Sequence, residues 1–242
     1  MDNVSFTPLG DQAITVTFGS EIQAKTNQQV QAFRHLLKEE RKDYIVDVVA
    51  TFTNVTVFYD ARQMDYAEIK KELSGLLTDL EAYQDHRTIY NIHLPVWYNG
   101  MDLERVSEIT GLTKEEIVER HSGKPYPIYM IGFLPGFPYI GGFPEEFSIP
   151  RLEKPRQQVP KGSVGIVNAQ SGIYPVSSPG GWNIIGTTPV ELIRIEKQYP
   201  FYYQAGDWIT FVPIDEKEYE TILNDKHFEP TIEVIQIGRA HV

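Results

Sequence analysis

The sequence predicts an α+β protein in two parts: a ferredoxin-like α/β sandwich over residues 1–98, then a β-barrel domain over residues 99–242 that opens with short linking helices. Two observations carry this. Up to about residue 98, strand-like and helix-like periodicities follow one another in the order β-α-β-β-α-β, the split βαβ arrangement. Beyond it, 11 of the 16 prolines and 11 of the 18 glycines fall between Gly123 and Pro189, which breaks long helices and favours short strands between turns.

Each element has a local reason. "AITVTF" (Ala13–Phe18) is a short strand, and Ser20 to Gln23 matches an S-x-x-Q capping box before a helix with Val30, Phe33 and Leu37 on one stripe. "YIVDVVATF" and "NVTVFYD" are two strands close enough to pair around Thr53-Asn54. Asp65 then caps a helix whose stripe is Tyr66, Ile69, Leu73, Leu76 and Leu80. "RTIYNIHLPVWY" (Arg87–Tyr98) is the last strand of this half. Leu103, Val106 and Ile109 mark a linking helix ended by Gly111, and Thr113 with Glu116 forms a capping box for a helix reaching His121. "PIYMIGF", "GSVGIVN", "WNIIG", "VELIRIE" and "DWITFVP" are short strands, "DEKEYETILND" a late helix capped at Asp215, and "TIEVIQI" a closing strand.

Composition excludes several functions. The chain has no cysteine, so thiolate nucleophiles and cysteine metal sites are ruled out. A formal charge of -11 speaks against non-specific nucleic-acid binding. No apolar run approaches the roughly 18 residues of a membrane span, and "MDNVSFTPLGDQAITVTF" lacks a secretory pattern, so a cytoplasmic protein is expected. The terminal "GRAHV" carries no pattern. No metal-ligating histidine pair, Walker-type phosphate loop or G-x-S-x-G elbow is present.

Three features carry candidate chemistry. "GFLPGFPYIGG" (Gly132–Gly142) sets Phe133, Phe137 and Tyr139 in a frame of glycines and of Pro135 and Pro138, a stiff aromatic loop. Arg151, Lys154, Arg156 and Lys161 form a cationic group, read either as an anion site or as a solvated basic loop. "SSPGGW" (Ser177–Trp182) is read either as a tight turn whose Gly180-Gly181 amides form an anion-receiving nest against Trp182, or as a β-turn with a core tryptophan. His121 is a general base or a helix-end cap.

Those motifs, with "LTKEEIVERHS" and "IPRLEKPRQQVPKGSVGIVNAQSGIYPVSSPGGWNIIGTTP", resemble the allophanate-hydrolase-subunit-1-like family across nearly the whole chain. That family includes the B subunit of bacterial ATP-dependent 5-oxoprolinase and an inhibitor of a sporulation histidine kinase. The resemblance implies a cyclophilin-like barrel for the second domain. It implies two partner chains of that enzyme: the C subunit, of the allophanate-hydrolase-subunit-2 type, and the A subunit. ATP, with magnesium, would be used together with the partner, and 5-oxoproline would be opened to L-glutamate. A second implied role is inhibition of the kinase through its dimerisation domain, and barrel shape alone adds prolyl isomerisation. Carried over by motif, the catalytic set is His121, Arg156 and Gln170. The substrate-binding set is Phe133, Pro135, Phe137, Tyr139, Arg151, Lys161, Ser163, Tyr174, Ser178, Gly180, Gly181 and Trp182. In this assignment Arg156 neutralises an anion, Gly180-Gly181 donate N–H groups to an oxyanion, Gln170 and Ser178 bond the amide, and His121 moves a proton. The family usually has an arginine in place of Thr187 and "GGQTG" in place of "NAQSG" with Asn168, Ala169 and Ser171.

Overall fold

The computed structural model describes residues 4–40, 42–78, 80, 88–198 and 200–236. Arg87 and the C-terminal "GRAHV" fall outside them. The fold is α+β with several sheets. Two compact units divide the chain: Met1–Ile89 with Ile235–Val242, and Tyr90–Val234.

In the first unit β1 (Ser5–Pro8), β2 (Ala13–Thr17), β3 (Ile45–Ala50) and β4 (Asn54–Tyr59) form an antiparallel sheet in the order β1-β2-β4-β3. Alternation puts Ile14, Val16, Val55 and Val57 into the core. They join Val30, Phe33 and Leu37 of α1 (Ala24–Glu40) and Ile69 and Leu73 of α2 (Tyr66–Thr78). The Asp65 cap forms: Oδ1 accepts from Glu68 N (2.9 Å) and Glu68 Oε2 accepts from Asp65 N (2.8 Å). The Ser20 capping box does not. The helix begins at Ala24, and Gln23 Nε2 instead donates to Glu21 Oε2 at 2.6 Å.

The strand expected at Arg87–Tyr98 is present as β5 (Thr88–Val96), yet it does not complete this sheet. Beside β2, where a split βαβ would receive its last strand, lies β1, paired from Ser5↔Thr17 to Pro8↔Ile14. A hairpin turning at Gly10 (φ 67°) closes a very short loop, which costs less chain entropy than a return from residue 88. The units divide at Ile89–Tyr90, just inside the start of that strand, where the sequence reading divides after its end.

In the second unit β5 pairs in parallel with β13 (Trp208–Pro213). The other strands are β6 (Tyr126–Ile131), β7 (Pro138–Ile140), β9 (Ser163–Val167), β10 (Gln170–Ile173), β12 (Asn183–Thr187) and β14 (Thr231–Gln236). Eight strands run in the order β12-β9-β10-β7-β6-β13-β5-β14. β8 (Arg156–Val159) and β11 (Ser178–Gly180) make a separate pair. Among the described residues this order is open, so the closed barrel expected from the sequence is not formed. The sheet nevertheless curls back at one point. Past β5, Trp97 and Thr187 exchange two backbone bonds of 2.9 Å. The following segment runs along β12, with Gly100 N on Ile185 O (3.1 Å) and Asp102 N on Ile184 O (2.9 Å). A Cβ at residue 100 would sit 2.2 Å from the Ile185 carbonyl carbon, so only glycine lets the backbones meet there. Closure stops at one bridge because the chain then turns into α3 (Leu103–Thr110).

α3 ends as expected at Gly111 (φ 72°), whose N–H bonds Ser107 O. The Thr113–Glu116 box opens α4 (Lys114–Ser122), and Asp215 with Glu218 opens α5 (Glu216–Asn224). The main core lies between these elements and the sheet: Ile92, Leu94, Val106, Ile117, Ile128, Ile140, Val164, Ile166, Ile173 and Phe211 are all buried.

Candidate functional site

The aromatic loop is built by two consecutive turns. Leu134 N bonds Gly132 O at 2.7 Å across Phe133, whose φ of 65° makes this a γ-turn of the strained, positive-φ kind. Phe137 N then bonds Leu134 O at 3.0 Å across Pro135 and Gly136 (φ 80°), a type II turn with each residue where that turn requires it. Tyr203 Oη donates to Gly136 O at 2.8 Å from behind. The outcome is a rigid loop that holds Phe133 62 % exposed and Phe137 1 % exposed.

Phe137 is the hub of a ring cluster. Its centroid lies 5.2 Å from Tyr174, 5.4 Å from Trp182 and 5.6 Å from Phe133, all edge-to-face, and 5.1 Å from Tyr139. Such pairs contribute about 0.5–1.5 kcal/mol each beyond their burial. The floor beneath is bare of side chains because Gly172 of β10 sits opposite Gly165 of β9. A Cβ at Gly172 would lie 2.7 Å from Phe137 and 2.9 Å from Trp182. Phe137 and Trp182, both assigned to the substrate-binding set, meet as a packed core with Val159, Val167 and Ile184. Burial pushes the Tyr139 and Tyr174 hydroxyls up, with the charge of the exposed Arg151 pulling against it in both. Exposed Phe133 and half-buried Tyr139, both in ring contact with Phe137, form its outer face.

Other predicted site residues have different duties. His121 is fully buried. Tyr98 Oη donates to its Nδ1 (2.7 Å), its Nε2 donates to Ser171 Oγ (2.9 Å), and Ser171 passes a bond to Gly165 O (3.3 Å). Phe143 stacks on the ring at 5.1 Å and Phe211 tilts over it at 4.1 Å. Ser171 and Gly172 are successive residues of β10 and point to opposite faces, so the sheet separates His121 from the ring cluster. The proton-moving role expected of His121 gives way to that of a satisfied core histidine.

Burial lowers its pKa from 6.5 to about 3. The folded state thus refuses a proton that the unfolded chain accepts below pH 6.5. Its contribution to stability is complete above 6.5 and declines as pH falls toward 3, by up to about 1.4 kcal/mol per pH unit. Urea unfolding of the protein and of His121→Gln at pH 7.5 and 5 checks this: the stability difference between them shrinks in acid, and a difference independent of pH contradicts the assignment.

The diglycine nest is absent. Ser178–Gly180 is strand β11, Gly180 pairs with Arg156, and neither Gly180 nor Gly181 has positive φ. Glycine is needed at 180 because a Cβ would lie 2.4 Å from the Tyr174 hydroxyl. Gly181 is buried and its carbonyl accepts from Leu152 N (2.8 Å). Arg156 is a structural cation: Nη2 donates to Asp102 Oδ1 at 2.6 Å, and Asp102 Oδ2 accepts from Ile184 N at 2.7 Å. Arg105 Nε adds a bond to Asn183 Oδ1 at 3.1 Å. Lys161 pairs with Glu191 on the surface. Buried Ser163 lies at the start of β9, bonding Tyr174 N and Pro160 O through its backbone, while buried Ser178 Oγ reaches only Pro179 O at 3.4 Å. With Arg156 and Lys161 engaged and the nest extended, these residues do not fit a triphosphate. Among the described residues no group of three or more histidines or carboxylates could hold a metal, and no helix is long and apolar enough to cross a membrane.

Gln170 follows the β9–β10 hairpin turn. Asn168 (φ 47°) and Ala169 (φ 56°) occupy its two left-handed positions, a type I′ turn in which glycine is preferred. This explains physically where "NAQSG" departs from "GGQTG". Alanine there costs about 1 kcal/mol, so Ala169→Gly is expected to raise stability by roughly that amount in urea unfolding, with the hairpin unchanged.

The family described as "Carboxyltransferase domain, subdomain C and D" matches residues 4–203. The 5-oxoprolinase B subunit of Bacillus subtilis (strain 168) is 37 % identical over 225 residues, covering 87 % of this chain and 93 % of that protein. The protein of the same name from Haemophilus influenzae is 38 % identical over 212 residues, covering 86 % and 97 %. Among solved structures, TTHA0988 is similar with a TM-score of 0.75 and 29 % identity, over 84 % of this chain and 40 % of that longer one. The Kluyveromyces lactis urea amidolyase shares the fold, with a TM-score of 0.77 at 16 % identity over 96 % of this chain and 16 % of that one. With the match spanning both units, the chain belongs to the carboxyltransferase-domain family of subdomains C and D, together with the 5-oxoprolinase B subunits.

Proposed function

We propose that this chain is the B subunit of an ATP-dependent 5-oxoprolinase, a cytoplasmic hetero-oligomer in which the lactam of 5-oxoproline is opened by water to L-glutamate together with the A and C subunits. The observation that carries the reading is the 36–38 % identity to three B subunits over 78–97 % of their lengths. ATP and its magnesium belong with the partner, because the residues expected to cradle an anion here are tied to Asp102 and Glu191 or lie in an extended strand. The chain's share is the outer face of the ring cluster. Phe133, Pro135 and Tyr139 supply flat apolar contact and Arg151 a charge for the substrate carboxylate. Purified chain mixed with the A and C subunits should turn over ATP in proportion to added 5-oxoproline. No such turnover in the complete mixture rejects the reading.

The exposure of Phe133 on a strained turn favours a second role, docking on the dimerisation helices of a sporulation histidine kinase, since aromatic anchors dominate interface energies. Kinase autophosphorylation that is undiminished at saturating protein would exclude it.

A further inference from the structure

Asn99 is the only asparagine followed by glycine in the sequence. It is exposed, and it stands on the segment that carries the chain from β5 along β12. In such a pair the asparagine side chain is most open to attack from the backbone, because the following residue has no Cβ to keep its nitrogen from the side-chain carbonyl. Glycine is not optional at this point: a Cβ on Gly100 would lie 2.2 Å from the Ile185 carbonyl carbon and 2.3 Å from Ile184 O. The contact that draws the two backbones together therefore also gives Asn99 its most reactive kind of neighbour.

The same contact holds the nitrogen back. Gly100 N donates to Ile185 O at 3.1 Å and Gly100 O accepts from Leu103 N at 3.1 Å, so both backbone groups of the glycine are engaged. Bonds on either side fix its neighbours. Trp97 and Thr187 exchange two of 2.9 Å, Asn99 N donates to Trp97 O at 3.0 Å, and Asp102 N donates to Ile184 O at 2.9 Å. To reach the Asn99 side chain, the Gly100 nitrogen must turn away from Ile185 and give up its bond, which requires this stretch to part from β12. Reaction then follows the population of the parted state.

We propose that Asn99-Gly100 is a self-modification site kept unreactive by this seam, and that its conversion marks chains in which the seam has opened. The Gly100 nitrogen forms a bond to Asn99 Cγ, the bond from Cγ to Nδ2 breaks, and ammonia leaves with the proton of the Gly100 amide. Solvent water then opens the resulting five-membered imide at one of its two carbonyls. The product is an aspartate or an isoaspartate, each with one new carboxylate. The isoaspartate routes the main chain through the side-chain carbon. It thereby adds one backbone atom between the Trp97–Thr187 bridge and the bonds that Gly100 and Asp102 make to β12. A segment longer by one atom does not keep both ends in register. Asp102, whose carboxylate accepts from Ile184 N and the Arg156 guanidinium, is displaced with it. The aspartate keeps the original length and closes normally. The inference is independent of the 5-oxoprolinase reading.

The test follows the peptide that contains Asn99 by mass spectrometry while the full chain stands at pH 7.5 in buffer and in denaturing urea. Loss of the side-chain amide at Asn99 should run about tenfold or more slower in buffer. Asp102→Ala, which removes the acceptor of Ile184 N from the seam, should narrow that gap. The urea-aged chain is then diluted back into buffer and separated by gel filtration. Asparaginyl and aspartyl chains should return to the compact fraction, and isoaspartyl chains, identified by labelling with an isoaspartyl methyltransferase, should stay outside it. Asn99→Asp, which reproduces the aspartyl product directly, should unfold at the same urea midpoint as the unchanged protein. Equal rates in buffer and urea, or a gap unmoved in folded Asp102→Ala, overturn the seam as the lock. Absence of conversion in urea overturns the site, and isoaspartyl chains that refold with the others overturn the mark. The comparison of buffer with urea stands even if Asp102→Ala fails to fold.

Discussion

Asp102→Ala is expected to remove about 3–5 kcal/mol of stability, the cost of leaving a paired group in the interior without its partner. Asp102 is 5 % exposed and accepts from the Arg156 guanidinium and from Ile184 N. Its loss strands both donors beside the seam where β5 and β12 meet. The guanidinium is 26 % exposed and can recover some water, which places the effect nearer the lower figure. Chemical denaturation of the purified protein measures it, and a change below about 1 kcal/mol would show that the pair adds little. Arg156→Ala should cost less than Asp102→Ala, because the acid would still keep its backbone donor. Equal losses would mean that the ion pair carries the whole effect.

Phe137→Ala should cost about 3–5 kcal/mol as well, by the cavity it leaves among close-packed rings. The ring is 1 % exposed and meets Phe133, Tyr139, Tyr174 and Trp182. The glycine floor beneath it has no side chain that could fill the gap. Thermal unfolding would register the loss. Near-ultraviolet circular dichroism should lose intensity at the same time, since Trp182 would be freed from its edge-to-face neighbour. A stable variant with an unchanged aromatic spectrum would contradict the hub assignment.

Local chemistry was legible in the sequence wherever donor and acceptor lie within one turn. The Thr113–Glu116 box, the left-handed Gly111 and the Asp215 cap all follow from short-range geometry. The stiffness of the Gly/Pro frames around Phe137 and Trp182 was legible too, but not that the two rings bury one another as core. Partners distant along the chain were not. Arg156 reads as a free cation because the acid that holds it lies 54 residues earlier. An aspartate directly before a helix reads as its cap, and only the structure shows that Asp102 makes no cap bond there. Gly180-Gly181 reads as a nest because glycine reports permissiveness, whereas Gly180 answers to the space taken by the Tyr174 ring and hydroxyl. His121 reads as a base because its sequence neighbours are polar, whereas Phe143, Phe211 and Ser171 arrive from other strands and loops.

The β9–β10 hairpin serves two interiors at once. Ser171 answers to one and Gly172 to the other, so adding a single residue at Asn168-Ala169 would trade their places. A hydroxyl would then be thrust among close-packed rings, and an imidazole nitrogen would be left facing empty space. Length at that corner is consequently fixed from both sides, and tolerance there should extend to the identity of the turn residues and never to their number.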